Sequence, residues 1–396
     1  MLIALVLLTL SYVNGFVKIN PYKIHTKPII LPETYITSKN HPINYNSSQN
    51  KLVNIVYTNH SLDEKYQSTW FVVEESKNIL ANRIYTATIR EKEYIFWKDR
   101  QNRYTALEAN CNHRGAALRH GKIAEQKLIC PYHGAEFDQN GKLCKIPGLD
   151  NNIKIADCFH QETYPIQEIH GWVYLNTVSK RIYQPQKHYF YLEKEARDSD
   201  YCCIFLHSII HAPNRIVSEN LLDVIHISYV HTFGNAQNPL PLNDPQPFQI
   251  KDIPNHYAIN YEYKSGSRSF VNQAFGMADL RIENEFILPY TVISRVSFGR
   301  YIKTIITFAL PETKNRTRLF MKVYRNFIYS KYHTIFGMIY NYIMDKLIIK
   351  VVRDTIAEDA RILENINLDK VDGKYNVKYD RFPYMYRKLY EKHQLD

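Results

Sequence analysis

Between Cys111 and Gly134 the chain reads CNHRGAALRHGKIAEQKLICPYHG, which places two cysteines and two histidines in two short pairs, Cys111-x-His113 and Cys130-x-x-His133. Thiolate sulfur and imidazole nitrogen together are metal ligands. A zinc ribbon would normally use Cys-x-x-Cys knuckles, because two intervening residues let one turn present both sulfurs to one ion. Here each loop supplies one Cys and one His, with 16 residues between His113 and Cys130. That pairing suits a [2Fe–2S] cluster whose irons are ligated differently, Cys111 and Cys130 on one and His113 and His133 on the other. Neutral imidazoles in place of two thiolates raise the reduction potential, which makes such a cluster a relay of moderate potential. A structural zinc site is the competing reading.

The spacing, with HRGA and CPYHG around it, resembles the Rieske motif. Ala135 departs from it, since many relatives carry Trp after CPYHG. Further on, SENLLDVIHISYVH supplies Asn220, Asp223, His226 and His231, and this resembles the N-x-x-D-x-x-H-x(4)-H pattern of Rieske non-haem iron oxygenases. An oxygen-activating mononuclear iron needs two His and one carboxylate on one side, with positions left open. Histidines five apart differ by roughly 140° on an ideal helix, so His226 and His231 can share an ion only if the helix ends or bends between them. The third ligand must come from elsewhere. VVRDTIAEDARILENI offers Asp354, Glu358, Asp359 and Glu364. Val352, Ile356, Leu363 and Ile366 form an apolar stripe at helical spacing, and Asp359 falls on it. A carboxylate among apolar residues is costly unless a cation meets it. Glu358 lies off the stripe, as a solvated or supporting group. The family's acidic pair ahead of a C-terminal apolar run also favours Asp359.

These residues need elements to hold them. From Trp70, short β-branched and aromatic runs such as TWFVVEES, EKEYIFWKD and EIHGWVYLNT read as small antiparallel strands around the Cys/His pairs. SKRIYQPQKH is a linker. NRIVSENLLDVIHISYVH has helical periodicity, strands return from Phe248 to Tyr329 with PETKNRTR as a hairpin connection, and a helical pattern runs from Ile335 to Ile366. The divisions are a signal or apolar anchor over 1–15, a leader over 16–66, a [2Fe–2S] domain over 67–178 and a mononuclear iron domain over 188–390. The fold class is α+β.

Bulk properties fit two domains. The chain has 396 residues, 45% of them hydrophobic, and carries 50 Lys+Arg against 39 Asp+Glu for a net charge of +11. No basic block concentrates that charge, so it reads as a solvated surface rather than a nucleic-acid groove. Six cysteines in so long a chain do not make a disulfide framework. LIALVLLTL is too short to span a bilayer but fits the apolar region of a signal peptide. From Phe16 to Ser61 Glu33 is the only acid, as in a transit leader, so the expected location is a plastid-like organelle or a membrane surface, and otherwise the cytoplasm. Sequons occur at Asn46, Asn59 and Asn315.

The resemblance covers about Trp70 to Arg387. It implies a small antiparallel Rieske domain followed by a helix-grip domain, in which a sheet of about seven strands wraps a long C-terminal helix. It also implies a homotrimer in which one subunit's cluster faces the next subunit's Fe(II). Asp223 would bridge the two by accepting hydrogen bonds from His226 and from His133 of the partner subunit. Electrons would come from NAD(P)H through a separate reductase or ferredoxin, since the chain has no flavin or dinucleotide fingerprint. The implied reaction is reductive O2 activation on an organic substrate: hydroxylation, demethylation or ring opening. FVNQAFGMADLRIENEFILPY and YIKTIITFAL are expected to line the pocket. The apolar TIFGMIYNYIM stretch favours an apolar, aromatic or tetrapyrrole-like substrate, and is read as core before membrane contact. The competing functions are an electron carrier with a non-catalytic second domain, and a nucleic-acid-binding zinc protein.

Overall fold

The computed structural model of the chain describes residues 53–55, 70–150, 154–183, 188–251, 255–267, 269–332 and 334–392. The expected signal, and the leader apart from 53–55, lie outside the described residues, as do Asn46 and Asn59. The chain divides into two units: 49–327 with 349–396, and 1–48 with 328–348.

In the larger unit the strands, numbered in chain order, begin with β1 (Val53–Ile55), β2 (Trp70–Glu75), β3 (Tyr85–Ile89), β4 (Lys92–Lys98) and β5 (Tyr104–Glu108). Next come β6 (Lys122–Ala124), β7 (Lys127–Ile129), β8 (Glu136–Phe137), β9 (Leu143–Lys145), β10 (Thr163–Tyr164), β11 (Ile166–Ile169) and β12 (Trp172–Asn176). They pair as three antiparallel sheets, β10-β5-β4-β3, β11-β12-β2 and β6-β7-β8-β9. Ile95, Trp97, Leu107, Leu128 and Phe137 are fully buried together, and Cys111 and Cys130 belong to the same cluster. The Cys/His loops are therefore anchored through their sulfurs. None of the six cysteines is in a disulfide.

After β13 (His188–Phe190), which pairs with β1, the second domain is one sheet in the order β14-β20-β19-β18-β17-β16-β15. Its members are β14 (Cys202–Ile210), β15 (Phe248–Gln249), β16 (His256–Lys264), β17 (Asp279–Ile287), β18 (Thr291–Phe298), β19 (Tyr301–Thr313) and β20 (Arg316–Arg325). Successive side chains of a strand point to opposite faces. One face meets helices: Asn284 Nδ2 donates to Leu222 O at 3.3 Å in α1 (Asn214–Leu222), and Phe286 packs on Phe382 and Tyr386 of α5 (Arg381–Lys392). Between them lie α2 (Ile227–Val230), α3 (Phe270–Phe275) and α4 (Ile335–Leu363). The α5 helix is absent from the sequence reading, which closes the fold with the long helix. Its buried Phe382, Tyr386 and Tyr390 recur every four residues, a stripe short enough to be overlooked among its charges.

The opposite face carries charge into the interior. Lys322 Nζ donates to Glu193 Oε1 at 2.6 Å and sits 4.3 Å from the Trp172 ring, while His170 Nδ1 is 3.3 Å from Glu193 Oε2. Trp172 opens β12 and His170 lies just ahead of it, so this group fastens the β11-β12-β2 sheet to the seven-stranded one. Burial opposes ionisation of Glu193, but Lys322 and His170 outweigh it and hold the carboxyl down to about 2. Its stabilisation is therefore complete above the ordinary carboxylate range and disappears as the pH falls toward 2. Lys322→Met, which leaves Glu193 buried and unpaired, is expected to cost about 3–5 kcal/mol in denaturant unfolding, with much of it recovered when Glu193→Leu is added.

In the smaller unit Asn341 Nδ2 donates to Ser330 O at 2.9 Å, closing the segment ahead of α4. The TIFGMIYNYIM stretch does not form core. Ile335, Phe336, Met338, Ile339, Tyr342 and Ile343 are all exposed, Phe336 by 85%. Apolar composition alone cannot tell a core stripe from an uncovered one. No helix among the described residues is long and apolar enough to cross a membrane.

Candidate functional site

The two Cys/His loops are built alike. Cys111 N–H donates to Ala116 O at 2.8 Å and Gly115 N–H to Cys111 O at 2.8 Å. In the second loop Cys130 N–H donates to Ala135 O at 2.8 Å and Gly134 N–H to Cys130 O at 3.1 Å. Each closes through a glycine with positive φ, +67° at Gly115 and +71° at Gly134, which explains the glycines of HRG and YHG. Cys111 and Cys130 are buried, His113 and His133 are exposed, and the two imidazole centroids lie 4.8 Å apart. Burial, with Cys130 alongside, pushes the Cys111 thiol up against the N–H groups of His113 and Arg114 that favour its thiolate. The donors fit a cluster with sulfur ligands inside and nitrogen ligands at the surface. Cys130→Ser is expected to bleach the visible absorption of the purified protein while leaving the iron of the second centre in place, as read by metal analysis.

The second centre lies where α1 stops. The helix ends at Leu222, and Asp223 caps it with extended backbone (φ −73°, ψ 136°). Asp223 Oδ1 accepts from Ile225 N–H at 2.7 Å, which turns the chain into α2. His226 precedes that short helix and His231 follows it in extended conformation. This is the helix end that the histidine spacing requires. The two rings lie 5.1 Å apart, with His231 stacked on Phe233.

Both ε-nitrogens converge on one carboxylate oxygen: His226 Nε2 is 3.4 Å and His231 Nε2 3.5 Å from Asp359 Oδ1. One ligand atom from each of the three residues lies within 4.8 Å of the others. Asp359 is buried on α4 with Val352, Ile356 and Leu363, so the stripe holds; Ile366 falls beyond the helix end. Asp359 Oδ1 is buried and has no hydrogen bond. An orphaned carboxylate oxygen facing two imidazoles fits a cation held by two His and one carboxylate. Burial disfavours charge on His226, but Asp223 and Asp359 outweigh it and raise its pKa to about 9. Burial dominates at His231 and lowers its pKa.

The outer nitrogens have partners too. Asp223 Oδ2 is 3.6 Å from His226 Nδ1. Asp223 reaches it from a capping turn, where the periodicity of NRIVSENLLDVIHISYVH reads as continuous helix. Glu358 Oε2 meets His231 Nδ1 at 3.0 Å, and its Oε1 accepts from Thr232 N–H at 3.4 Å. Off the apolar stripe, Glu358 is the supporting group, one of the two alternatives its position left open, rather than a solvated one. Asn220, also expected here, occupies the last turn of α1, and its carbonyl accepts from Asp223 N–H at 3.2 Å. Its side chain makes no hydrogen bond among the described residues.

Comparison with known proteins matches both halves of the chain. Residues 69–165 match the Rieske [2Fe-2S] domain and residues 210–394 the vanillate O-demethylase oxygenase C-terminal domain. The chain is 28% identical over 171 residues to protein TIC 55, chloroplastic, of Arabidopsis thaliana, covering 43% of this chain and 31% of that one. It is 26% identical to the vanillate O-demethylase oxygenase subunit of a Pseudomonas species, covering 44% of this chain and 47% of the other. The match thus spans less than half the length of either relative. Chlorophyllide a oxygenase, chloroplastic, of Oryza sativa subsp. japonica is 20% identical over 80% of this chain and 55% of its own. The fold is that of dicamba monooxygenase bound to 3,6-dichlorosalicylic acid, with a TM-score of 0.67 at 17% identity over 83% of this chain and 97% of that one. With a Rieske domain ahead of that C-terminal domain, and two histidines facing a buried carboxylate within it, the chain belongs to the Rieske non-haem iron oxygenase family.

Proposed function

We propose that this chain is the oxygenase component of an O2-dependent system that hydroxylates, demethylates or ring-opens an apolar, aromatic or tetrapyrrole-like substrate with electrons from a separate reductase or ferredoxin. The observation that carries this reading is the convergence of His226 and His231 on Asp359 in a chain that also holds the Cys/His loops. Iron held by His226, His231 and Asp359, and a [2Fe–2S] cluster held by Cys111, His113, Cys130 and His133, would supply reductive O2 activation. The protein's own contribution is to prepare the donors. Asp223 and Glu358 each face the outer nitrogen of one histidine, which fixes its tautomer and aims Nε2 inward. Burial of Asp359 and the stack of Phe233 on His231 keep bulk water off the donors.

The partners are proposals of the same kind. In a homotrimer, Asp223 would also face His133 of the partner subunit, and the net positive chain suits an acidic ferredoxin. Relatives named as chloroplastic support a plastid location. The exposed apolar side chains from Ile335 to Ile343 support peripheral membrane contact.

Nitric oxide tests the reading without a known substrate, because it reports ferrous iron that has an open position. The dithionite-reduced protein should give a ferrous-nitrosyl electron paramagnetic resonance signal that His226→Ala and His231→Ala remove. Iron-loaded protein that gives no such signal would overturn the oxygenase proposal in favour of an electron carrier.

A further inference from the structure

The helix-facing side of the sheet is not uniformly filled. Asn284, Ser294 and Ile305 are neighbours across β17, β18 and β19, and Ser294 Oγ donates to Asn284 Oδ1 at 2.9 Å. Because Asn284 bonds to α1, these three and the residues two positions away, Val296 and Lys303, face the helices. Ser294, Val296, Lys303 and Ile305 are all partly exposed, although they lie on central strands. Their neighbours on the other face, Ile293, Arg295, Thr304 and Ile306, are buried. Mid-sheet is therefore accessible on this side, the side where α1 leads into the His226–His231 turn, and sealed on the other.

Lys303 is the partly exposed cation in that row, beside its fully buried cross-strand neighbour Arg325 on β20. Among the described residues no carboxylate or hydrogen-bond acceptor meets its Nζ. Burial alone lowers its pKa, with no opposing charge to offset the lost hydration. The neighbouring wall is aromatic. Tyr301, two residues before Lys303 on the same face, lies 4.9 Å from Phe275 and 5.6 Å from Phe298, and Phe298 lies 5.1 Å from Phe327. From Asn284, two strand spacings and two residues along put the Lys303 Cα about 12 Å away. Asn284 itself is bonded to Leu222, the residue before Asp223. Lys303 and the turn that carries the histidines thus lie on the same side of the sheet.

Resting on the proposed oxygenase reading, we infer that the substrate is an organic carboxylate, held by Lys303 at its acidic end and by the Tyr301 and Phe298 wall along its apolar body. The carboxylate would give the lysine the counter-charge that the chain itself withholds. Lys303 is then a residue that sets specificity and has no part in ligating metal.

Binding tests this apart from turnover. The metal-loaded protein is titrated by calorimetry or tryptophan fluorescence with vanillate against methyl vanillate, and with protoporphyrin IX against its dimethyl ester. In at least one pair the acid should bind tenfold or more tightly than the ester. Lys303→Met should erase that preference and Lys303→Arg keep it, with cluster absorption and iron content unchanged in both. Acids that bind no better than their esters in both pairs, or a preference that survives Lys303→Met, would overturn the inference. A Lys303-dependent preference in protein that gives no nitrosyl signal would keep this inference and sink the oxygenase reading.

Discussion

Asp359→Ala is expected to abolish turnover and remove the mononuclear iron while the visible absorption of the Rieske cluster stays intact. Asp359 Oδ1 is the oxygen on which both histidine ε-nitrogens converge, so its loss leaves two imidazole nitrogens and no carboxylate donor. Glu358 cannot take its place without abandoning His231 Nδ1 and Thr232 N–H, on the far side of the ring. Glu358→Ala should therefore retain iron at ordinary loading but hold it about 10–100-fold more weakly, as is usual when the partner of a ligating histidine is removed. Chelator competition on the two variants separates the roles. Equal loss of iron in both, or loss only in the Glu358 variant, would reverse the assignment.

Asp223→Asn is expected to keep both metals and yet lower turnover by about 100-fold or more. Its Oδ1 serves the backbone turn and its Oδ2 faces His226 Nδ1, so the amide preserves the fold but loses the charge beside the imidazole. In the proposed trimer the same charge also faces His133 of the partner subunit, and electron delivery suffers more than iron binding. Co-expression of chains carrying His133→Ala with chains carrying His226→Ala probes this directly. Each is inactive alone, whereas a mixed trimer contains interfaces that pair an intact cluster with an intact iron site. Partial activity supports transfer between protomers; inactivity in a verified mixed, metal-loaded oligomer rules it out.

The proposed metal donors stand out in the sequence because ligand chemistry is carried by residue type and short spacing. Cys111 to His133 needed nothing more, and Asp359 was legible because helical periodicity put an acid among apolar residues. The five-residue histidine spacing even required a helix end, which the structure supplies at His231. What stayed hidden depends on pairings remote in sequence. Glu193 and Lys322 are separated by 129 positions, and no local pattern links them. On β17 and β18, Glu285 and Arg295 face one side and pair there, together with Glu195. Alternation could have flagged these charges as odd for central strands, but not what they meet. Helical periodicity likewise marked Ile335 to Ile343 as apolar without showing that they are uncovered.

Metal and sulfide analysis of anaerobically purified protein, together with its visible spectrum, tests whether one chain holds two different iron centres. A brown protein is expected, with two irons and two acid-labile sulfides per chain in the cluster, plus one further iron that Asp359→Ala removes without loss of colour. A colourless protein with stoichiometric zinc at Cys111, His113, Cys130 and His133 would contradict it.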